Sequence, residues 1–322
     1  MRVAALDLGT NTTRLLVADV HDGRVEDVER QVRITRLGEG VDARGRLLPV
    51  PIARVRNCLS DFRRDLEALE AERTLAVATS AIRDADNGEA FLGEVEWSYG
   101  FTTRLLSGDE EALLTFRGAT LGRSLDEATL VVDLGGGSTE LIVGSESNSL
   151  LQSGWHASLD VGSVRLTERF LPSDPPSVAE LNECAATVHS LLVERVADNA
   201  RPVSAIGVAG TVTTLAALDQ SLPAYDPERV HGYLLSLDGI TAQLERLAAL
   251  PLAERRNVPA LEPERAPVIV AGAVILWEVL AYFGLGGIEA SERDLLHGIA
   301  LEAAKLPEPV EGDAPPGAYT CC

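Results

Sequence analysis

Two matched bursts of apolar residues organise the sequence. The run Ala5-Leu6 ends on Asp7, passes through Leu8 and the polar stretch Gly9-Thr10-Asn11-Thr12-Thr13-Arg14, then resumes as Leu15-Leu16-Val17. From position 7 to position 133, 126 residues on, the pattern repeats. Val131-Val132 ends on Asp133, then come Leu134, Gly135-Gly136-Gly137-Ser138-Thr139-Glu140 and Leu141-Ile142-Val143. Each copy predicts a β-hairpin whose Gly/Thr/Ser turn can approach a phosphate closely, with backbone N–H groups and hydroxyls aimed at its oxygens. Either turn alone also admits the reading of an ordinary hairpin, as the less favoured of the two. Two matched copies, each with an Asp at the strand end, point to a shared chemistry. Among the aligned positions where the copies differ, one is informative, Arg14 against Glu140: an Arg suits phosphate oxygens and a Glu suits a hard divalent cation.

Between the hairpins the periodicity changes from two to three and four. Ile52, Val55, Leu59, Phe62, Leu66 and Leu69 predict an amphipathic helix begun near Pro51. Thr74–Thr79 reads as a short buried strand running into Ser80-Ala81-Ile82-Arg83-Asp84, and Phe101–Leu106 as another running into Ser107-Gly108-Asp109-Glu110-Glu111-Ala112. The second half repeats the plan. Ser177 and Glu180 form a capping box before Leu181, Ala185, Val188 and Leu192, and 202–211 predicts a strand ending in a Gly210-Thr211 turn. A hairpin followed by alternating strands and helices, done twice, predicts two related α/β domains with a cleft between them. The expected division is 1–117 plus a returning helix near 295–306, then 118–294, with 307–322 a Pro/Gly-rich disordered tail.

Composition narrows the function. A chain of 322 residues, 46% hydrophobic, can bury two cores. Its net charge of −21 argues against a nucleic-acid or anionic-membrane surface, so any phosphate must be held by local positive charge. Lys305 is the only lysine, which excludes a P-loop lysine. Cys58, Cys184, Cys321 and Cys322 lack metal spacing and fit a reducing, cytoplasmic setting, and the terminal pair lacks the polybasic neighbour of a prenylated tail. Met1-Arg2 runs straight into the first strand, without a signal peptide. The apolar stretch 268–283 contains Glu278 and reads as a buried helix rather than a membrane span. Arg30, Arg33 and Arg36 are candidates to guide a polyanion, or equally a solvated edge-strand face. His156, His189, His231 and His297 have no ligand spacing.

Together with the two hairpins, 78–83, 107–112, 162–169 and 209–211 resemble the exopolyphosphatase/guanosine pentaphosphate phosphatase (Ppx/GppA) family of the actin-like superfamily. The resemblance covers residues 1 to about 305. It implies two ribonuclease H-like (actin-like) domains and hydrolysis of a terminal phosphoryl group from inorganic polyphosphate or guanosine pentaphosphate, with Mg2+, or Mn2+ as the alternative. It also implies a catalytic base on the second Glu of the Ser107–Ala112 motif. Helix geometry agrees: with Ser107 as N-cap, Glu110 reaches back to cap, and Glu111 lies about 100° further round. The mechanism so assembled gives Glu111 the attacking water and sets Asp133, Glu140 and Asp7 on the metal. It sets Arg14, Arg83 and the turns Gly9, Thr10, Asn11, Thr12 and Gly135, Gly136, Gly137, Ser138, with Gly210 and Thr211, on the phosphoryl oxygens. Many members carry an aromatic-His pair where this chain has Thr13-Arg14. The chain stops short of the extra C-terminal helical region of the longer members, so short polyphosphate is the expected preference. A homodimer is compatible with this reading. Two other classes stay open: an actin-superfamily small-molecule kinase, and a silent nucleotide sensor.

Overall fold

The computed structural model describes residues 1–123, 125, 127–145 and 154–307. The expected tail beyond 307, with Cys321 and Cys322, lies outside the described residues. The chain divides into two compact units. One is Met1–Gly122 with the chain from Leu295 onward, and the other is Arg123–Asp294.

The first unit is built on strands β1 (Arg2–Leu8), β2 (Thr12–His21), β3 (Arg24–Ile34), β4 (Arg73–Ala78) and β5 (Thr102–Leu105), in the order β3-β2-β1-β4-β5. The hairpin β1–β2 and its extension β2–β3 are antiparallel, whereas β4 and β5 run parallel to β1. Val3 to Leu8 are all buried, as a central strand covered on both faces requires. Helices α1 (Pro49–Ala68) and α2 (Gly88–Tyr99) bury Val55, Phe62, Phe91 and Val95 with Leu6, Leu15 and Val17 on one face. Helix α3 (Gly108–Ala119) contributes Leu114 to the core on the other face, with Ala5 and Leu16.

The second unit repeats the order with one added edge strand. Strands β6 (Thr129–Leu134), β7 (Thr139–Gly144), β8 (Trp155–Leu159), β9 (Ser204–Val208), β10 (Leu234–Ser236) and β11 (Gly287–Ala290) are arranged β10-β11-β9-β6-β7-β8. Helices α4 (Ser163–Phe170), α5 (Val178–Arg195), α6 (Ala209–Asp219), α7 (Leu237–Ala249) and α8 (Ile269–Phe283) surround it. The capping box on α5 is present with both hydrogen bonds. Helix α8 is the apolar stretch noted in the sequence, and its Glu278 is buried 3.4 Å from His189. No helix among the described residues is long and apolar enough to cross a membrane. Helix α9 (Leu295–Ala303) belongs to the first unit, packing against α3 and β1.

The doubled α/β plan of ribonuclease H-like type is therefore observed, and two local expectations are corrected. Gly210 and Thr211 do not form a turn: they are the second and third residues of α6, which starts directly at the end of β9. The three arginines make no single track. Arg30 lies opposite Leu16 and Arg33 opposite Thr13, so they point to opposite faces of β3, and Arg36 lies beyond the strand with φ 49°.

Candidate functional site

In the first unit the polar groups gather at the carboxyl ends of β1, β4 and β5, three neighbouring parallel strands. That sheet edge is where open α/β folds bind ligands. Asp7 faces Arg14 across the hairpin, and Arg14 places both Nε and Nη2 at 2.8 Å from Asp7 Oδ2. The turn is pinned from behind. Gly9 N–H donates to Thr12 O at 3.0 Å. Asn11 O accepts from Thr35 N at 3.0 Å and Arg36 N at 2.9 Å, and Thr10 O accepts from Gly38 N at 2.8 Å. In a trans peptide N–H and C=O point opposite ways, so the Asn11 and Thr12 amides face away from the 35–38 segment. Thr10 Oγ1 meets Ser80 Oγ at 2.8 Å, joining the turn to the single helical turn Ser80–Arg83 that follows β4.

Glu110 and Glu111 open α3 and divide as the helix geometry requires. Ser107 Oγ accepts from Glu110 N at 3.2 Å, and Glu110 Oε2 accepts from Ser107 N at 2.9 Å. That Ser107 N–H, with the hydrogen bond from Arg104, holds the Glu110 carboxyl below the usual carboxylate range. Glu111 turns elsewhere: its side chain is only 13% exposed, with Oε2 3.4 Å from Arg83 Nη1. The same Nη1 donates to Leu106 O at 2.9 Å, which anchors Arg83 across the end of β5. The structure thus brings Arg83 and Glu111 together, and Asp7 and Arg14 together, within this unit.

In the second unit Asp133 and Glu140 are direct cross-strand neighbours, so their side chains share one face at the hairpin mouth. Glu140 is buried and its Oε1 accepts from Ser158 Oγ at 2.9 Å. The donor set is two carboxylates with a hydroxyl beside them, all hard oxygens, which suits Mg2+ held by one or two carboxylates and completed by substrate phosphates. A group of three or more acidic, His or Cys side chains able to hold a metal is absent among the described residues. The Gly135–Ser138 turn is pinned as its counterpart is, here by the segment leading into α4. Ser163 N donates to Gly135 O at 3.0 Å, and Val164 N and Arg165 N donate to Gly136 O at 2.9 and 3.1 Å. Gly210 and Thr211 begin α6 beside this strand, reached through Ala209 at φ 68°.

Two arginines at this sheet end were not singled out from the sequence. Arg265 lies so close over Gly210 that a Cβ there would overlap its guanidinium, and its Nε donates to Glu262 at 2.9 Å. Arg165 donates Nε to Gly137 O at 2.8 Å. Neither stands in a motif turn. The sequence signal was weak: Arg165 sits within the 162–169 stretch that carried the resemblance, and Arg265 follows a run of Pro and Glu.

The sequence profile of the Ppx/GppA phosphatase family matches residues 16–306. Exopolyphosphatase 2 of Mycobacterium tuberculosis is 40% identical, over 94% of this chain and 98% of its own length. A guanosine-5'-triphosphate,3'-diphosphate pyrophosphatase of Aeromonas hydrophila is 29% identical, over 92% of this chain and 58% of its own length. Among solved structures, an exopolyphosphatase-like protein superposes with a TM-score of 0.87 at 36% identity, covering 95% of this chain and 99% of its own. A Ppx/GppA member from Aquifex aeolicus gives 0.81 at 32% identity, covering 95% and 98%.

Proposed function

The chain belongs to the Ppx/GppA phosphatase family, and we propose that it acts as an exopolyphosphatase, releasing terminal phosphate from inorganic polyphosphate, short chains first. The observation that carries this reading is Glu111: a mostly buried carboxylate, oriented by Arg83, at the strand ends where a pinned turn presents backbone N–H groups. The 40% identity to a full-length exopolyphosphatase supports polyphosphate over guanosine pentaphosphate as the substrate.

In the proposed reaction Glu111 takes a proton from water as the water oxygen bonds to the terminal phosphorus. The bridging P–O bond breaks, and the shortened chain leaves with the electron pair on its terminal oxygen. The turn amides of each unit are donors for phosphoryl oxygens, and such preorganised donors stabilise charge that grows in the transition state. Arg83 keeps Glu111 aimed and neutralises charge beside it. Arg14 spends its guanidinium edge on Asp7, so this pair acts as a rigid, charge-balanced floor to the first turn. Asp133 and Glu140 would hold Mg2+, which when bound supplies Lewis-acid neutralisation of phosphate charge. Cys58 and Cys184 are buried free thiols, pushed up to about 12 by burial, and take no part; a cytoplasmic setting accords with them.

The test is orthophosphate release from short polyphosphate, long polyphosphate, guanosine pentaphosphate and ATP, by wild type and Glu111→Gln. The expected result is fastest release from short polyphosphate, lost in the variant. Faster release from guanosine pentaphosphate than from every polyphosphate would make that the substrate. Transfer from ATP to a small acceptor would instead mark a kinase, and tight nucleotide binding without any release a sensor.

A further inference from the structure

The two pinned turns are held by different means. In the first unit backbone N–H groups of Thr35, Arg36 and Gly38 suffice, and the turn itself carries Thr10, whose hydroxyl is tied to Ser80. The second turn has three consecutive glycines, Gly135, Gly136 and Gly137, with no side chain to tie and the largest conformational freedom to lose. It is instead gripped by the start of α4. Gly162 fits so tightly beneath it that a Cβ would stand 2.5 Å from Gly137 N. Ser163, Val164 and Arg165 N–H groups take the carbonyls of Gly135 and Gly136. The last carbonyl, Gly137 O, is taken by the Arg165 side chain through Nε at 2.8 Å.

We propose that Arg165 is a positioning residue, which fixes the orientation of the glycine turn by holding Gly137 O and so aims the Ser138 amide, and with it Gly137 and Gly136, toward the phosphate. Three carbonyls drawn to one side leave three amides directed to the other, because each peptide is planar and trans. Without the Arg165 donor the Gly137–Ser138 peptide is free to flip, since glycine on its N-terminal side imposes no barrier. The guanidinium therefore acts through the backbone it holds rather than on the substrate. This rests on the proposed phosphate-hydrolysing reading of the site.

The experiment compares wild type, Arg165→Met (similar length, no donor) and Arg165→Lys (donor retained), each in the full chain with Mg2+. Polyphosphate KM, inhibition by orthophosphate and amide hydrogen exchange at Gly136, Gly137 and Ser138 are measured together. In Arg165→Met the KM and the orthophosphate inhibition constant are expected to rise together by roughly 10–100-fold, the usual cost of losing a group that orients a ligand-binding one. Amide exchange at the three positions accelerates, and Arg165→Lys recovers much of both changes. Unchanged KM and exchange in Arg165→Met overturn the inference. So does a raised KM with unchanged exchange, which would put the guanidinium on the substrate itself. If Arg165→Met does not fold, the same two readouts on Arg165→Ala decide, with loosening expected and wild-type values overturning it. Should wild type release no phosphate from any substrate, the functional reading falls, while the exchange comparison still tests the clamp.

Discussion

Glu110 and Glu111 are neighbours with opposite work. Glu110 closes the capping box, so Glu110→Ala is expected to cost about 0.5–2 kcal/mol of stability, read by denaturant unfolding, with most turnover kept. Its folded pKa is depressed, so its contribution is present above the unfolded value of 4.5. That contribution is lost as pH falls through the lower folded value, and the stability gap to Glu110→Ala should close in that acidic window. Glu111→Gln keeps size and hydrogen bonding but cannot accept the proton, so kcat is expected to fall by roughly 10²–10⁴-fold with little loss of stability. A dead Glu110→Ala beside an active Glu111→Gln would reverse the assignment. Asp133→Asn and Glu140→Gln should each raise the Mg2+ concentration for half-maximal rate, because each removes a charged oxygen from a two-carboxylate set. Metal titrations of activity check this.

At the scale of elements, close packing governs what can be changed. Helix α9 meets α3 through Gly298: an added Cβ would stand 2.7 Å from Leu114 C and 3.0 Å from its Cα. Leu114 lies one turn beyond Glu111, so Gly298→Ala must push the helix that carries the proposed base. A destabilisation of about 1–3 kcal/mol is expected, with a fall in kcat, measured by unfolding and kinetics on the same preparation. Ala209 enters α6 at φ 68°, where an L side chain is strained and glycine is not. Ala209→Gly should therefore raise the unfolding midpoint, and a clear drop would show the strain to be relieved elsewhere. In α8, burial pushes the Glu278 carboxyl up, against the opposing pull of His189. A raised acid pKa gives stability that is complete below about 4.5 and declines as pH rises through the folded value. Stability of wild type should accordingly fall relative to Glu278→Gln as the pH is raised from 4 to 8.

At the scale of the molecule, a net charge of −21 opposes a polyanionic substrate, while the cationic groups of the site act at contact distance. At 0.15 M salt the Debye length is about 8 Å, so distant carboxylates are screened before contact pairs are. The kcat/KM for polyphosphate is expected to rise from very low salt and then fall, and a steady fall from the lowest salt would mean that the global charge does not matter. Arg83→Ala should lose far more activity than Arg30→Ala or Arg33→Ala, whose side chains point to opposite faces of β3. Much of this molecule was legible in one dimension. Periodicity disclosed the hairpins, the α1 and α5 helices and the capping boxes, because these depend on residues within a few positions of one another. The repeat from Asp7 to Asp133 disclosed the doubled architecture because each copy is itself a local hairpin pattern that can be matched to the other. What the sequence left open are contacts between residues far apart in the chain. The pairing of Arg83 with Glu111, and the placement of Arg265 on Gly210 and of Arg165 on Gly137, depend on strand order and on which face each side chain takes. Local propensity determines an element, but only the assembled sheet determines which guanidinium reaches which oxygen.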